Sequence, residues 1–175
     1  MEYVYHVVTE RPMSLGQSLV FDESNHNWVY NRVMTFKRLS EGQILNNEIS
    51  DLIKSDMEKW GKVANRELAM EEVRQKFYSD YPSRMACLYT SRTFDEAKKW
   101  AEFFESVGRK VYSIVKLKVD GRIFDGDACN CFDGTGGSSD FENAHLYWKV
   151  EKTENPVIET LVDGIITVEG ILNYK

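Results

Sequence analysis

Two Asp-Gly pairs, each set between runs of β-forming residues, limit what this chain can fold into more than any other feature. The first lies in KVYSIVKLKVDGRIFD, at Asp120-Gly121, and the second in VIETLVDGIITVEGIL, at Asp163-Gly164. An Asp-Gly pair readily takes the backbone conformation of a two-residue hairpin turn. Each is therefore predicted to join two neighbouring antiparallel strands. Two hairpins rule out a purely parallel, doubly wound sheet, whose strands need long crossovers. The predicted class is α+β: a single domain over residues 1–175, with a mostly antiparallel sheet and flanking helices.

The remaining elements follow from periodicity. YVYHVVTE, residues 3–10, alternates as a strand, with Tyr3, Tyr5 and Val7 on one face and Val4, His6 and Val8 on the other. Pro12 and Gly16 break any regular period after it, SLVFD is a short strand, and ESNHN is a polar loop carrying His26. Between about Asn46 and Tyr81 the spacing is helical. Ile49, Leu52, Ile53 and Met57 form one stripe, Ala64, Leu68, Val73 and Phe77 the next, and a break is expected near Trp60-Gly61. Pro82 ends this region. MACLYTS, residues 85–91, is a strand. TFDEAKKWAEFFESVG is the clearest helix, with Thr93 and Glu96 as a capping box and Gly108 as its exit. Its buried stripe is Ala97, Trp100, Ala101 and Phe104. The Gly- and Ser-rich GDACNCFDGTGGSSD reads as a flexible loop long enough to act as a lid, followed by a short helix over FENAHLYWKV.

Composition narrows the function classes. Apolar residues at 42% and charged residues at 29% describe a soluble globular protein. No apolar run approaches the roughly 18 residues of a membrane span, and the N-terminus lacks the order of a signal peptide. Three cysteines without an export signal fit reduced thiols and a cytoplasmic location. A net charge of −6 argues against generic nucleic-acid binding, which needs clustered cations. The generous supply of aromatic residues can line a flat-ring pocket as well as fill a core.

Several residues are candidates for chemistry. His6 shares a strand face with two valines, where an imidazole must find a partner: either a structural hydrogen bond or a ligand. Glu159 falls in line with Val157 and Leu161, where an acid is costly unless it is paired or working. Glu169 is its rival on the next strand. Cys129 and Cys131, near Asp125, Asp127 and His145, invite a metal reading, but a single intervening residue is the wrong spacing for a zinc knuckle. No metal is expected. DGTGGSSD has backbone N–H groups for a phosphate but lacks the lysine of a P-loop.

A resemblance ties these candidates together. YHVVT is similar to the Tyr-His opening of many ADP-ribosyltransferase-like domains. CLYTSRTFDEAKKWAEFF resembles their second core strand, Ser/Thr turn and helix, VYSIVKLKVDGRIFDGDA the hairpin that follows, and IETLVDGIITVEGIL the final Glu-x-Leu-Val hairpin. The chain looks most like a bacterial domain family of unknown function related to that fold, in which PSRMACLY, FDGDA and EN…YW recur.

The resemblance covers nearly the whole chain and implies a split antiparallel sheet holding NAD in a cleft. It implies that His6 holds ribose hydroxyls, Tyr89 stacks on nicotinamide and Glu159 is the catalytic acid. Ser91 and Arg11 belong to the implied NAD-binding set, and either Tyr89, Ser91 or Arg92 reaches the pocket. Val157 stands where arginine-modifying members carry a second glutamate, so protein arginine is not the expected acceptor. The implied function is an NAD-dependent ADP-ribosyl transferase or NAD hydrolase. The alternative is a non-catalytic module that keeps the fold and binds a nucleotide or a protein.

Overall fold

The computed structural model describes residues 2–175. Its elements run β1 (Glu2–Val8), β2 (Ser18–Phe21), α1 (Trp28–Ser40), α2 (Glu48–Ser55), α3 (Met57–Phe77), β3 (Leu88–Thr90) and α4 (Phe94–Ser106). They continue with β4 (Ser113–Asp120), β5 (Ile123–Asp127), α5 (Ser139–Trp148), β6 (Ile158–Val162) and β7 (Gly164–Leu172). The strands form two sheets, one in the order β1-β4-β7-β2 and the other in the order β3-β6-β5. Every strand pair is antiparallel, so the α+β class holds. Among the described residues, no helix is long and apolar enough to cross a membrane.

Neither Asp-Gly pair closes a hairpin. β4 lies in the first sheet and β5 in the second; β6 lies in the second and β7 in the first. At both pairs the chain steps from one sheet to the other, and the two steps cross in contact. A Cβ on Gly121 would sit 2.0 Å from the Asp163 carbonyl oxygen, and one on Gly164 would sit 2.3 Å from that of Asp120. Gly164 also has a φ of +79°, which disfavours a side chain there. Asp163 fastens the crossing, accepting from the Arg122 backbone N–H at 2.8 Å and from its guanidinium at 2.9 and 2.6 Å. The physical reason for the difference lies in the strands. β4 pairs on both edges, with β1 and β7, so no edge is left for β5.

The expected alternation on β1 holds. Val4 and Val8 pack with Leu117, Val119, Ile166 and Val168 between the sheets, while Val7 meets Ala97 and Ala101 of α4. The Thr93–Glu96 capping box and the Gly108 exit of α4 are both present. On the second sheet, Phe124 and Leu161 pack with Tyr147 and Trp148 of α5 and Met70 and Val73 of α3.

The helical region differs from expectation in three ways. The break falls at Asp56, which caps α3, and not at Trp60-Gly61. Gly61 lies inside α3, where its missing side chain admits the Phe36 ring, 3.2 Å from a built Cβ. The stripe of α3 is rotated: Leu68 and Phe77 face outward, and Glu67 is buried beside Ala64 and Met70. Helix α1, unrecognised in the sequence, packs Val29 and Val33 against Ala64.

The segment 126–140, expected to be a flexible loop, is not loose: it takes in the end of β5 and the start of α5 and is tied down between them. Asp140 accepts from the backbone N–H groups of Thr135 and Gly136, and Gly134 N–H donates to Lys62 on α3 at 3.1 Å. Asp127 accepts from the backbone N–H groups of Cys129, Thr153 and Val157 and from the Thr153 hydroxyl. Burial opposes its ionisation, but these donors outweigh it and hold the carboxyl at about 2, against an ordinary 3.8.

Two outcomes are expected. Gly121→Ala forces two backbones apart and lowers unfolding free energy by about 3 kcal/mol, read from a urea titration; an unchanged midpoint refutes the crossing. Asp127 has a folded pKa below its unfolded one, so it stabilises above about pH 4 and that stability fades as pH falls towards 2. The stability lost between pH 6 and pH 2.5 is therefore smaller in Asp127→Asn than in the wild type, by about 1.5 kcal/mol.

Candidate functional site

A cleft of about 550 Å³ opens where the two sheets meet. The seam is closed by one bridge between them: Tyr5 N–H donates to the Ser91 carbonyl at 2.9 Å, and Ser91 N–H to the Tyr5 carbonyl at 2.8 Å. This bridge sets the middle of β1 beside the end of β3, and β6 pairs with β3 on its other edge. All five residues expected at a site, His6, Arg11, Tyr89, Ser91 and Glu159, line this cleft. Arg92 does not. Its guanidinium pairs with Asp125 at 3.0 Å and with Glu2. Glu169 is exposed on β7.

His6 has found a partner and still faces the cleft. Its Nδ1 lies 2.8 Å from the Tyr89 carbonyl oxygen, which can only accept, so Nδ1 carries the proton and Nε2 the lone pair. Burial lowers its pKa below 6.5, with the Tyr89 carbonyl opposing, so the ring is neutral at pH 7. Tyr89 is positioned in turn by its hydroxyl, which donates to the Arg84 carbonyl at 3.0 Å.

Glu159 is paired, and its partner is Arg84, a residue that strand logic did not single out. Arg84 lies 6% exposed between α3 and the second sheet. Its Nε donates to Glu67 Oε2 at 2.9 Å and its Nη2 to Glu67 Oε1 at 3.4 Å. Its Nη1 donates to Glu159 Oε1 and to the Tyr147 hydroxyl, the latter at 2.7 Å. The same Tyr147 hydroxyl also lies 2.7 Å from Glu159 Oε1. Glu159 Oε2 takes no hydrogen bond from the described residues and keeps contact with solvent. It is the carboxylate oxygen available to a ligand.

The charges in this network hold one another. Burial works against the Arg84 guanidinium, but Glu159 and Glu67 outweigh it and push its pKa well above the ordinary value. Burial likewise opposes the Glu67 carboxylate, and Arg84 and Arg66 outweigh that and lower its pKa. Asn27 braces the assembly: its Nδ2 donates to the carbonyls of Arg84 and Cys87 while its Oδ1 caps α1. A signal for this network was present in the sequence. Glu67 sits one helical turn from Ala64 on the buried stripe of α3, and a buried acid requires a cation.

Three of the residues weighed for a metal are engaged elsewhere. Asp125 holds Arg92 and the Thr160 hydroxyl, Asp127 its ring of N–H donors, and His145 the Tyr78 hydroxyl at 3.3 Å. Burial pushes the thiols of Cys87 and Cys131 upward, which leaves both protonated and poor nucleophiles.

Residues 4–174 match the family described as Protein of unknown function (DUF2441). A search of curated proteins found no match.

Arg84→Met leaves Glu67 with Arg66 alone and Glu159 with the Tyr147 hydroxyl alone, and is expected to cost about 3–5 kcal/mol in a denaturant titration. The double variant with Glu67→Gln removes one of these two charges and recovers part of that loss. A single variant as stable as wild type is incompatible with the network.

Proposed function

We propose that this chain, which belongs to the DUF2441 family, binds NAD in the cleft and breaks its nicotinamide–ribose bond, as an ADP-ribosyl transferase or an NAD hydrolase. One observation carries the reading. His6 from the first sheet and Glu159 from the second line the same cleft, beside the bridge that joins the sheets. Two antiparallel sheets meeting at a ligand-sized cleft also suit the resemblance to ADP-ribosyltransferase-like domains, which is the fold we assign on that ground.

The chemistry follows from the groups available. Breakage sends the bonding electron pair onto the pyridinium nitrogen, releasing neutral nicotinamide and leaving positive charge on the ribose. Glu159 Oε2 stabilises that charge, and a fixed carboxylate needs no reorganisation to do so. Arg84 and Tyr147, by holding Oε1, set which way Oε2 points. The lone pair on His6 Nε2 accepts from a ribose hydroxyl, and the Tyr89 ring supplies a flat surface for nicotinamide. Water at C1′ gives ADP-ribose and a proton; another nucleophile gives a transferred ADP-ribosyl group.

A second reading has its own support. The ion pair with Arg84 neutralises much of the charge on Glu159, which suits a cleft that binds a nucleotide without cleaving it.

Millimolar NAD is expected to raise the thermal midpoint where adenosine does not, since a ligand of the folded state alone stabilises it by mass action. Glu159→Gln should keep that shift while nicotinamide release falls about a hundredfold or more. A shift without release in the wild type selects the binding reading, and no shift with NAD removes the cleavage reading.

A further inference from the structure

The chain has nine arginines, and five of them, Arg66, Arg74, Arg84, Arg92 and Arg122, pair with carboxylates. Three of the other four gather at the cleft. Arg11 and Arg109 line it, and Arg109 reaches the Thr9 hydroxyl at 2.8 Å, two positions before Arg11 in the chain. Arg32 stands close enough to Arg109 to feel its charge: burial first, and then Arg109, lower its pKa, against Glu10. A protein of net charge −6 thus sets Arg11 and Arg109 on the wall of one cleft with Arg32 near Arg109, and none of the three forms a salt bridge among the described residues. Such repulsion persists where an anion relieves it.

Their mounting suits an anion. The Arg32 guanidinium carbon lies 4.1 Å from the ring centre of Trp28, which lines the cleft, and 5.3 Å from that of Trp60. That of Arg109 lies 4.4 Å from the centre of Phe104, also a lining residue. A ring against the guanidinium face fixes its plane and leaves the N–H edge open to oxygen acceptors. Glu10, the one acid that acts on Arg32 here, reduces the three positive charges to two. His6, neutral at pH 7, adds none.

We infer that Arg11, Arg32 and Arg109 form a receptor for a diphosphate ester, the charged part of a nucleotide whose remainder enters the cleft. Two positive charges match the two negative charges of a diphosphate diester, and planar guanidiniums bind phosphate oxygens in pairs. The inference rests on the cleft as a ligand site and holds for any nucleoside diphosphate, whether or not a glycosidic bond is broken.

Calorimetric titration with ADP, inorganic pyrophosphate, adenosine and NAD tests it. ADP and pyrophosphate are expected to bind, adenosine at least about tenfold more weakly. Arg32→Gln with Arg109→Gln should weaken ADP about tenfold or more, whereas Arg38→Gln, at the far end of the same helix, should not. Equal affinity for adenosine and ADP overturns the receptor, as do unaltered variants, an equal loss in Arg38→Gln, or no binding of either phosphate. ADP bound without NAD sustains the receptor and removes the NAD reading. NAD bound equally well by the double variant does the reverse. The melting temperature of each variant without ligand verifies that it is folded, and Arg109→Gln alone, at an exposed position, serves if the double variant is not.

Discussion

The buried pair between Arg84 and Glu67 is the interaction on which the rest of the site depends. A guanidinium and a carboxylate out of water need charged partners, and each is the other's most buried one, with Arg66 completing the hold on Glu67 and Glu159 that on Arg84. Because Glu67 is fixed on α3, Arg84 is fixed in the segment before β3. From there its Nη1 reaches Glu159 on β6, its carbonyl takes the Tyr89 hydroxyl, and the Tyr89 carbonyl takes His6. A single ion pair thus sets the position of residues from a helix, two sheets and the first strand. The carboxylate of Glu159 is divided by it into one oxygen that is held and one that is offered.

Much of this arrangement was legible in the sequence, though unevenly. Period-two alternation put His6 and Glu159 among apolar neighbours, and both prove to be satisfied polar groups facing the cleft. The capping box of α4 was plain because it depends on residues three apart. Arg84 was not, because nothing local distinguishes a buried arginine from a solvated one in PSRMACLY. Its partner Glu67 could have been found only by fixing the rotation of α3, and the outward Leu68 and Phe77 drew the expected stripe the wrong way.

The Asp-Gly pairs show how a sound local rule meets a stronger constraint. The dipeptide permits a hairpin turn; whether one forms depends on whether the flanking strands have better partners. β4 does, on both edges. At Gly121 the missing side chain therefore serves close approach of two backbones, a requirement that sequence pattern does not separate from a turn. The helix α1 escaped notice for a related reason. Its short stripe follows a stretch broken by Pro12 and Gly16, and its cap, Asn27, is recognisable chiefly through the distant carbonyls it also binds.

The order of strands in the first sheet bears on how the protein is made. β7 follows every other element in the chain, yet it sits between β4 and β2. As the chain leaves the ribosome, β1 and β4 can associate early, whereas β2 waits with its edge unpaired until β7 arrives. Assembly therefore runs from the His6 side of the cleft outward, and the nascent protein relies longest on its surroundings to shield the apolar residues of β2.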